Sequence, residues 1–206
     1  MASHSADKMD FLLAGVGGQG IVLASDLLGE VGLAAGYDVK KSDVFGMAQR
    51  GGSVVSQVRL GPKVYSPLPP KGKIDYLLAL EKLEAARWVG YLRPGGIAVV
   101  NDHRILPLSV SAGAEAYPED SEILAELRSR TDRVFLIKGS AMAQELGNPR
   151  VLNLLMLGFL SSFLPIPLET WRAIILQRIP AKYVDLNLRA LDKGRGEAER
   201  YLVSSY

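Results

Sequence analysis

Phe11-Leu12-Leu13-Ala14-Gly15-Val16-Gly17-Gly18-Gln19-Gly20-Ile21 is the stretch that decides the fold. Its first four residues are continuously apolar and run into glycines, the pattern of a strand buried on both faces. After Gly20, the residues Ile21, Ala24, Leu28, Val31 and Ala35 recur at spacings of three and four, and so mark one face of a helix. Gly36 supplies a C-terminal cap, and residues 37–41 predict a second strand. Strand, glycine turn, helix and strand together open a doubly wound α/β sheet.

Outward from there, residues 42–52 read as a loop. Residues 54–60 and 63–66 flank Gly61-Pro62 and predict a β-hairpin, so the sheet is expected to be mixed. Pro67, Pro69, Pro70 and Gly72 form a stiff connector. Residues 76–80 predict a buried strand and 82–92 a helix, after which Pro94-Gly95-Gly96 turns the chain into a strand over 97–100. Residues 104–117 are irregular. A helix over 118–130 carries Glu119, Asp120 and Glu122 at its start, where the helix dipole favours acids. Residues 134–137 predict the last strand. Helices follow over 140–146, 151–164, 168–176 and 183–193. The expected fold is α/β: a three-layer, Rossmann-like mixed sheet with a β-hairpin insertion and a helical C-terminal part. Residues 1–9 read as a disordered tail and 10–206 as one domain.

Composition narrows the chemistry. The chain has 206 residues, 48% hydrophobic and 22% charged, which matches an ordinary globular protein able to bury a full core. A formal charge of +2, with basic and acidic residues interleaved, gives no footprint for nucleic acid. There is no cysteine, so disulfides, thiolate nucleophiles and Cys-ligated zinc or iron–sulfur clusters are excluded from this chain. Residues 1–8 lack the apolar core of a signal peptide. The greasy stretch 151–164 is too short for a membrane crossing and is interrupted by Asn153, Gly158, Ser161 and Ser162. A cytoplasmic protein without a membrane partner is expected.

Gly15, Gly17, Gly18, Gln19 and Gly20 make up a G-x-G-x-x-G turn between a strand and a helix. Such a turn lets backbone approach a ligand and presents the free N–H groups of a helix start to an anion. Dinucleotide binding also needs an acid at the end of the second strand. Asp38 stands at that strand's beginning, and Asp43 falls in the predicted loop. Three readings therefore stand side by side: a dinucleotide site, an anion or partner contact, and close packing of helix on strand. In the 42–52 loop, Arg50-Gly51-Gly52 joins a guanidinium to exposed backbone N–H groups, a chemistry suited to carboxylate or phosphate, or else is a solvated turn. Phe45 and Met47 are bulky apolar loop residues suggesting a partner contact. His103 lies just past a strand end, but with His4 as its only counterpart it cannot assemble a metal site. Glu81, Lys82 and Glu84 read as a solvated or interface face at a helix start.

Taken together, Gly15 to Ile21 followed by Gly46-Met47-Ala48-Gln49-Arg50-Gly51-Gly52-Ser53-Val54 resembles the gamma-type domain of 2-oxoacid:ferredoxin oxidoreductases. Residues 46–53 are most similar to the indolepyruvate branch. The likeness continues through Tyr65-Ser66-Pro67, Leu80-Glu81-Lys82, Leu92-Arg93-Pro94-Gly95-Gly96 and Asn101 to Asn187, Ala190 and Gly194. Phe45 departs from it, standing where that branch tends to carry a histidine.

The resemblance implies a small subunit that binds no cofactor alone. Its implied partner is a large cysteine-rich subunit holding thiamine diphosphate and iron–sulfur clusters. The complex would decarboxylate a 2-oxoacid, form an acyl-coenzyme A and pass electrons to ferredoxin. A hetero-oligomer is implied for the enzyme, with a homodimer as an alternative for the isolated chain. The cofactor-facing residues would be Gly15, Gly17, Gly18, Gln19, Gly20, Arg50, Gly51 and Gly52. A stand-alone nicotinamide-dependent dehydrogenase and a non-catalytic interaction module are the alternatives.

Overall fold

The computed structural model describes residues 8–45 and 52–203. In chain order the elements are β1 (Met9–Val16), α1 (Ile21–Ala34), β2 (Asp38–Phe45), β3 (Ser53–Gly61), β4 (Ile74–Ala79), α2 (Lys82–Trp88), β5 (Leu92–Asn101), α3 (Leu108–Ser111), α4 (Asp120–Arg128), β6 (Val134–Ile137), α5 (Gly139–Glu145), α6 (Leu152–Ser161), α7 (Leu168–Arg178) and α8 (Ala181–Val203).

The strands form one sheet in the order β2-β3-β1-β4-β5-β6. β1, β4, β5 and β6 run parallel, while β3 is antiparallel to both β1 and β2. Phe11, Leu13, Leu78 and Val99 face one core with α1, α6, α7 and α8. Leu12, Ala14, Leu77, Ala98 and Val100 face the other with α2 and α4. Both faces of the parallel strands are thus covered, which is why Phe11–Ala14 is apolar throughout rather than alternating. Each fully buried leucine here contributes about 1.5–3 kcal/mol. The three-layer, mixed-sheet architecture and its helical C-terminal part are as expected.

Four local expectations need correction. The hairpin pairs β2 with β3, not 54–60 with 63–66: the ladder runs from Asp38↔Gly61 to Phe45↔Val54. Residues 42–45, expected in a loop, are strand for the same reason, because β3 offers a partner for every one of them. Pro94-Gly95-Gly96 lies inside β5 as an irregularity in its pairing with β4, with Gly95 at φ +70°. A Cβ on Gly96 would stand 3.0 Å from the Asp75 carbonyl oxygen. The irregular stretch 104–117 contains the short helix α3.

Helix α8 runs ten residues past its expected end. Gly194, just past that expected end, serves helix crossing. A Cβ there would lie 1.9 Å from the Leu155 carbonyl oxygen of α6, and one on Gly158 would lie 2.2 Å from that of Leu191. The two glycines face each other's helix and let α6 and α8 touch backbone to backbone.

Candidate functional site

The crossover after β1 runs through α1 on one face towards β2. The crossover after β4 runs through α2 on the opposite face towards β5. Adjacent parallel strands whose connections diverge leave a crevice at their C-terminal ends, where open α/β sheets bind ligands. The glycine turn follows β1 and Leu80-Glu81 follow β4, so both border this switch point. A cleft of about 570 Å3 opens there, lined by Gly18, Gln19, Gly20, Leu23, His103, Ile105, Ser140, Gln144, Pro149, Arg150, Leu152 and Asn153. None of these is acidic.

Gln19 ties the crevice shut at its base. Its Oε1 accepts from the Val16 N–H at 2.7 Å and its Nε2 donates to the Leu80 carbonyl at 2.9 Å. Asn101, fully buried at the end of β5, donates from Nδ2 to the same Leu80 carbonyl at 3.0 Å and to Ser140 Oγ at 2.9 Å. Its Oδ1 accepts from the Ser140 N–H at 3.0 Å. Two amide side chains thus bind the ends of β1, β4 and β5 and the first turn of α5 into one unit. Gly15 makes room for this, since a Cβ on it would lie 2.8 Å from Gln19 Oε1.

Above that base the turn is open. Gly18 is exposed at φ +104° with free space where a side chain would be, and Gly20 sits at φ +81°. A Cβ on Gly20 would stand 2.7 Å from Asn153 Nδ2, which donates to the Gly20 carbonyl at 3.4 Å. Helix α1 has no side-chain cap. The first amides of a helix find no acceptor within it, so this start presents N–H donors and a positive dipole end to the cleft. Arg150 adds a guanidinium that makes no ion pair among the described residues. Donors, a cation and no carboxylate make an anion-binding lining.

The wall that carries His103 and Ile105 is held by buried charge. Glu81, Lys82 and Glu84 are 1%, 6% and 2% exposed, which corrects their reading as a solvated or interface face. Glu81 caps α2 by accepting from the Glu84 N–H, and its other oxygen accepts from the Ile105 N–H at 3.2 Å and the Tyr117 hydroxyl at 2.6 Å. Burial and the Glu81 carboxylate push the Tyr117 hydroxyl well above its usual range, so it remains a donor. Lys82 lies between Asp102 at 2.9 Å and Asp120 at 2.7 Å. Burial lowers its proton affinity, but the two carboxylates outweigh that and raise it. The Lys82 N–H donates to the His103 carbonyl at 3.2 Å, which fixes the backbone beside the cleft.

Of the residues singled out from sequence, Gly18, Gln19 and Gly20 line the cleft. Gly15 lies beneath it as a packing position, and the Gly17 N–H donates to the Gly52 carbonyl at 2.9 Å. Arg50, Gly51 and Met47 lie outside the described residues. Of the described residues on either side, Phe45 is 63% exposed and Gly52 meets the turn through its carbonyl.

The dinucleotide arrangement is not built. β3 lies between β1 and β2, which sets β2 about two strand spacings, roughly 9–10 Å, from β1. Asp38 sits at the far end of β2, accepting from the Val64 N–H at 2.9 Å. Asp43 belongs to β2 rather than a loop and is bound to Lys41 and Ser56. Sequence reasoning missed Asn101, Ser140, Arg150 and Asn153 as parts of the site. Asn153 did leave a signal, as a polar residue interrupting an apolar helix.

A match to the pyruvate ferredoxin/flavodoxin oxidoreductase family spans residues 10–197. The chain is 37% identical to the indolepyruvate oxidoreductase subunit IorB of Archaeoglobus fulgidus, covering 93% of this chain and 96% of that protein. It is 38% identical to the protein of the same name from Pyrococcus horikoshii, covering 95% and 98%. Among solved structures it is similar to the gamma subunit of a keto/oxoacid ferredoxin oxidoreductase from Geobacter sulfurreducens, with a TM-score of 0.70, 22% identity, and 93% and 99% covered. It is also similar to 31% of a 2-oxoglutarate:ferredoxin oxidoreductase chain from Magnetococcus marinus, determined with 2-oxoglutarate, coenzyme A and succinyl-CoA bound. That match covers 94% of this chain with a TM-score of 0.73 and 23% identity. From the glycine turn to α8, this chain belongs to the pyruvate ferredoxin/flavodoxin oxidoreductase family.

Proposed function

We propose that the chain is the small, cluster-free subunit of a 2-oxoacid:ferredoxin oxidoreductase that acts on indolepyruvate or a related aryl 2-oxoacid. The observation that carries this reading is the near-full-length similarity to proteins named as indolepyruvate oxidoreductase subunits. The complex would oxidatively decarboxylate the oxoacid, form an acyl-coenzyme A and deliver electrons to ferredoxin in the cytoplasm. Without a thiolate, this chain cannot ligate iron–sulfur clusters through cysteine. Among the described residues no three His, Asp or Glu side chains gather to hold a divalent cation for a diphosphate cofactor. Those groups are therefore assigned to a large, cysteine-rich partner subunit.

An anionic portion of coenzyme A does fit the residues present. The α1 N-terminus, Gly18 and Gly20 offer backbone donors, Arg150 offers a charge, and no carboxylate opposes them. In this reading the chain binds and orients the coenzyme's phosphates, while the Gln19–Leu80–Asn101 unit keeps the turn rigid. Gly52, whose carbonyl meets the turn, and its sequence neighbours Arg50 and Gly51 would meet the partner or the same anion. Bound coenzyme would supply the thiol that accepts the acyl group.

Kinetics of the assembled complex test this. Arg150→Ala is expected to raise KM for coenzyme A about tenfold or more while leaving KM for the oxoacid unchanged. An unchanged KM for coenzyme A would remove the cleft from the reading.

A further inference from the structure

From Ile105, on the cleft wall, the chain makes an excursion that returns at Tyr117. The Ile105 N–H and the Tyr117 hydroxyl donate to one and the same atom, Oε1 of buried Glu81, at 3.2 and 2.6 Å. The other Glu81 oxygen is held by the Glu84 N–H. The strap between, residues 106–116, is thus tied to the fold at a single point. Its own hydrogen bonds close on itself: the Ser111 N–H donates to the Pro107 carbonyl, the Ala112 N–H to that of Leu108, and Ser109 Oγ to the Glu115 carboxylate at 2.9 Å. Among the described residues none outside the strap is hydrogen-bonded to it. None of its eleven residues is buried. Leu106 is 55% and Leu108 73% exposed, and Glu115 is its only charged residue.

Compact surface loops whose ends meet and whose contacts are internal frequently carry function. Two exposed leucines on a nearly uncharged segment mark a contact surface, and the tether roots that surface on the cleft wall. Folded back on itself, a chain of eleven residues reaches at most about 18 Å from its tether, farther than a space of about 570 Å3 is wide. We propose that residues 106–116 form a lid, pivoting at Glu81 Oε1, which closes over the cleft when coenzyme A occupies it and buries Leu106 and Leu108 against the coenzyme. Because both ends bond one atom, the strap swings without giving up either bond. The inference rests on the reading of the cleft as a coenzyme site and adds to it the element that excludes water.

Hydrogen exchange in the assembled complex, followed by mass spectrometry with and without saturating coenzyme A, tests the lid. Peptides covering residues 18–21 report occupancy of the cleft, and peptides covering 106–116 report closure. Both are expected to exchange about tenfold more slowly with coenzyme A bound. The double variant Leu106→Ser/Leu108→Ser alters only exposed side chains. It should abolish the slowing over 106–116, keep that over 18–21, and raise KM for coenzyme A about tenfold with KM for the oxoacid unchanged. Slowing over 18–21 alone in the wild-type complex would overturn the lid and leave the assignment of the cleft standing. Slowing over neither segment would overturn both. A strap already protected before coenzyme A is added would overturn the lid as well, since the large subunit then covers it.

Discussion

Gln19 and Asn101 donate to one acceptor, the Leu80 carbonyl, at 2.9 and 3.0 Å. The crevice between β1 and β4 is therefore set by side-chain amides as well as by the ladder. Gln19→Leu keeps the volume but leaves the Val16 N–H unpaired, and Asn101→Leu does the same to the Ser140 N–H. Each is expected to cost about 1–3 kcal/mol in urea denaturation. Because the two share an acceptor, the double variant should depart from the sum of the single ones by at least about 0.5 kcal/mol, whereas strict additivity would deny the shared unit.

The α6–α8 crossing predicts opposite outcomes for glycines two positions apart. Gly194→Ala forces a methyl group onto the Leu155 carbonyl and should cost about 3 kcal/mol or more. Gly196 meets nothing within 4 Å, so Gly196→Ala should stabilise α8 by about 0.5–1 kcal/mol. Thermal unfolding of the two variants separates them, and equal effects would contradict the crossing.

Around Lys82 the sign of the pH dependence is fixed. Lys82 and Arg104 lower the proton affinity of Asp120 below its ordinary value of 3.8. Its contribution to stability is present above that value and is lost as pH falls through the depressed one. Lys82 has the reverse shift, so its contribution is present below its ordinary 10.5 and is lost only as pH rises beyond it. Wild type should exceed Asp120→Asn in stability near neutrality, with the gap closing below about pH 4. A gap that persists in acid would place its origin elsewhere.

At the edge of the sheet, Val44 and Phe45 are 52% and 63% exposed beside the glycine turn. Phe45→Ser should leave the stability of the isolated chain within about 0.5 kcal/mol of wild type. If this edge meets the large subunit, the same change should weaken co-purification of the complex. Intact assembly would exclude Phe45 from the contact.

Much of this was legible in the residues. The Phe11–Ala14 run, the spacing after Gly20 and the strand over 134–137 carry strong local periodicity, and they gave the sheet and its layers. The hairpin was misplaced because Gly61-Pro62 is a strong turn signal, while the pairing of β2 with β3 is decided by partners distant in sequence. The end of α8 was misplaced for a related reason: its continuation past Lys193 rests on packing against α6 through Gly194, a contact between segments distant in sequence. The site was half visible. The glycines announced themselves by spacing, whereas Arg150 and Asn153 are distant from them in sequence and reach the cleft only through the fold, and Asn101 joins its base from the end of β5.

The most direct test of the central claim is an activity assay on this chain purified to homogeneity, with and without the large subunit. Ferredoxin reduction dependent on an aryl 2-oxoacid and coenzyme A is predicted only when both chains are present. Turnover by this chain alone would contradict the account.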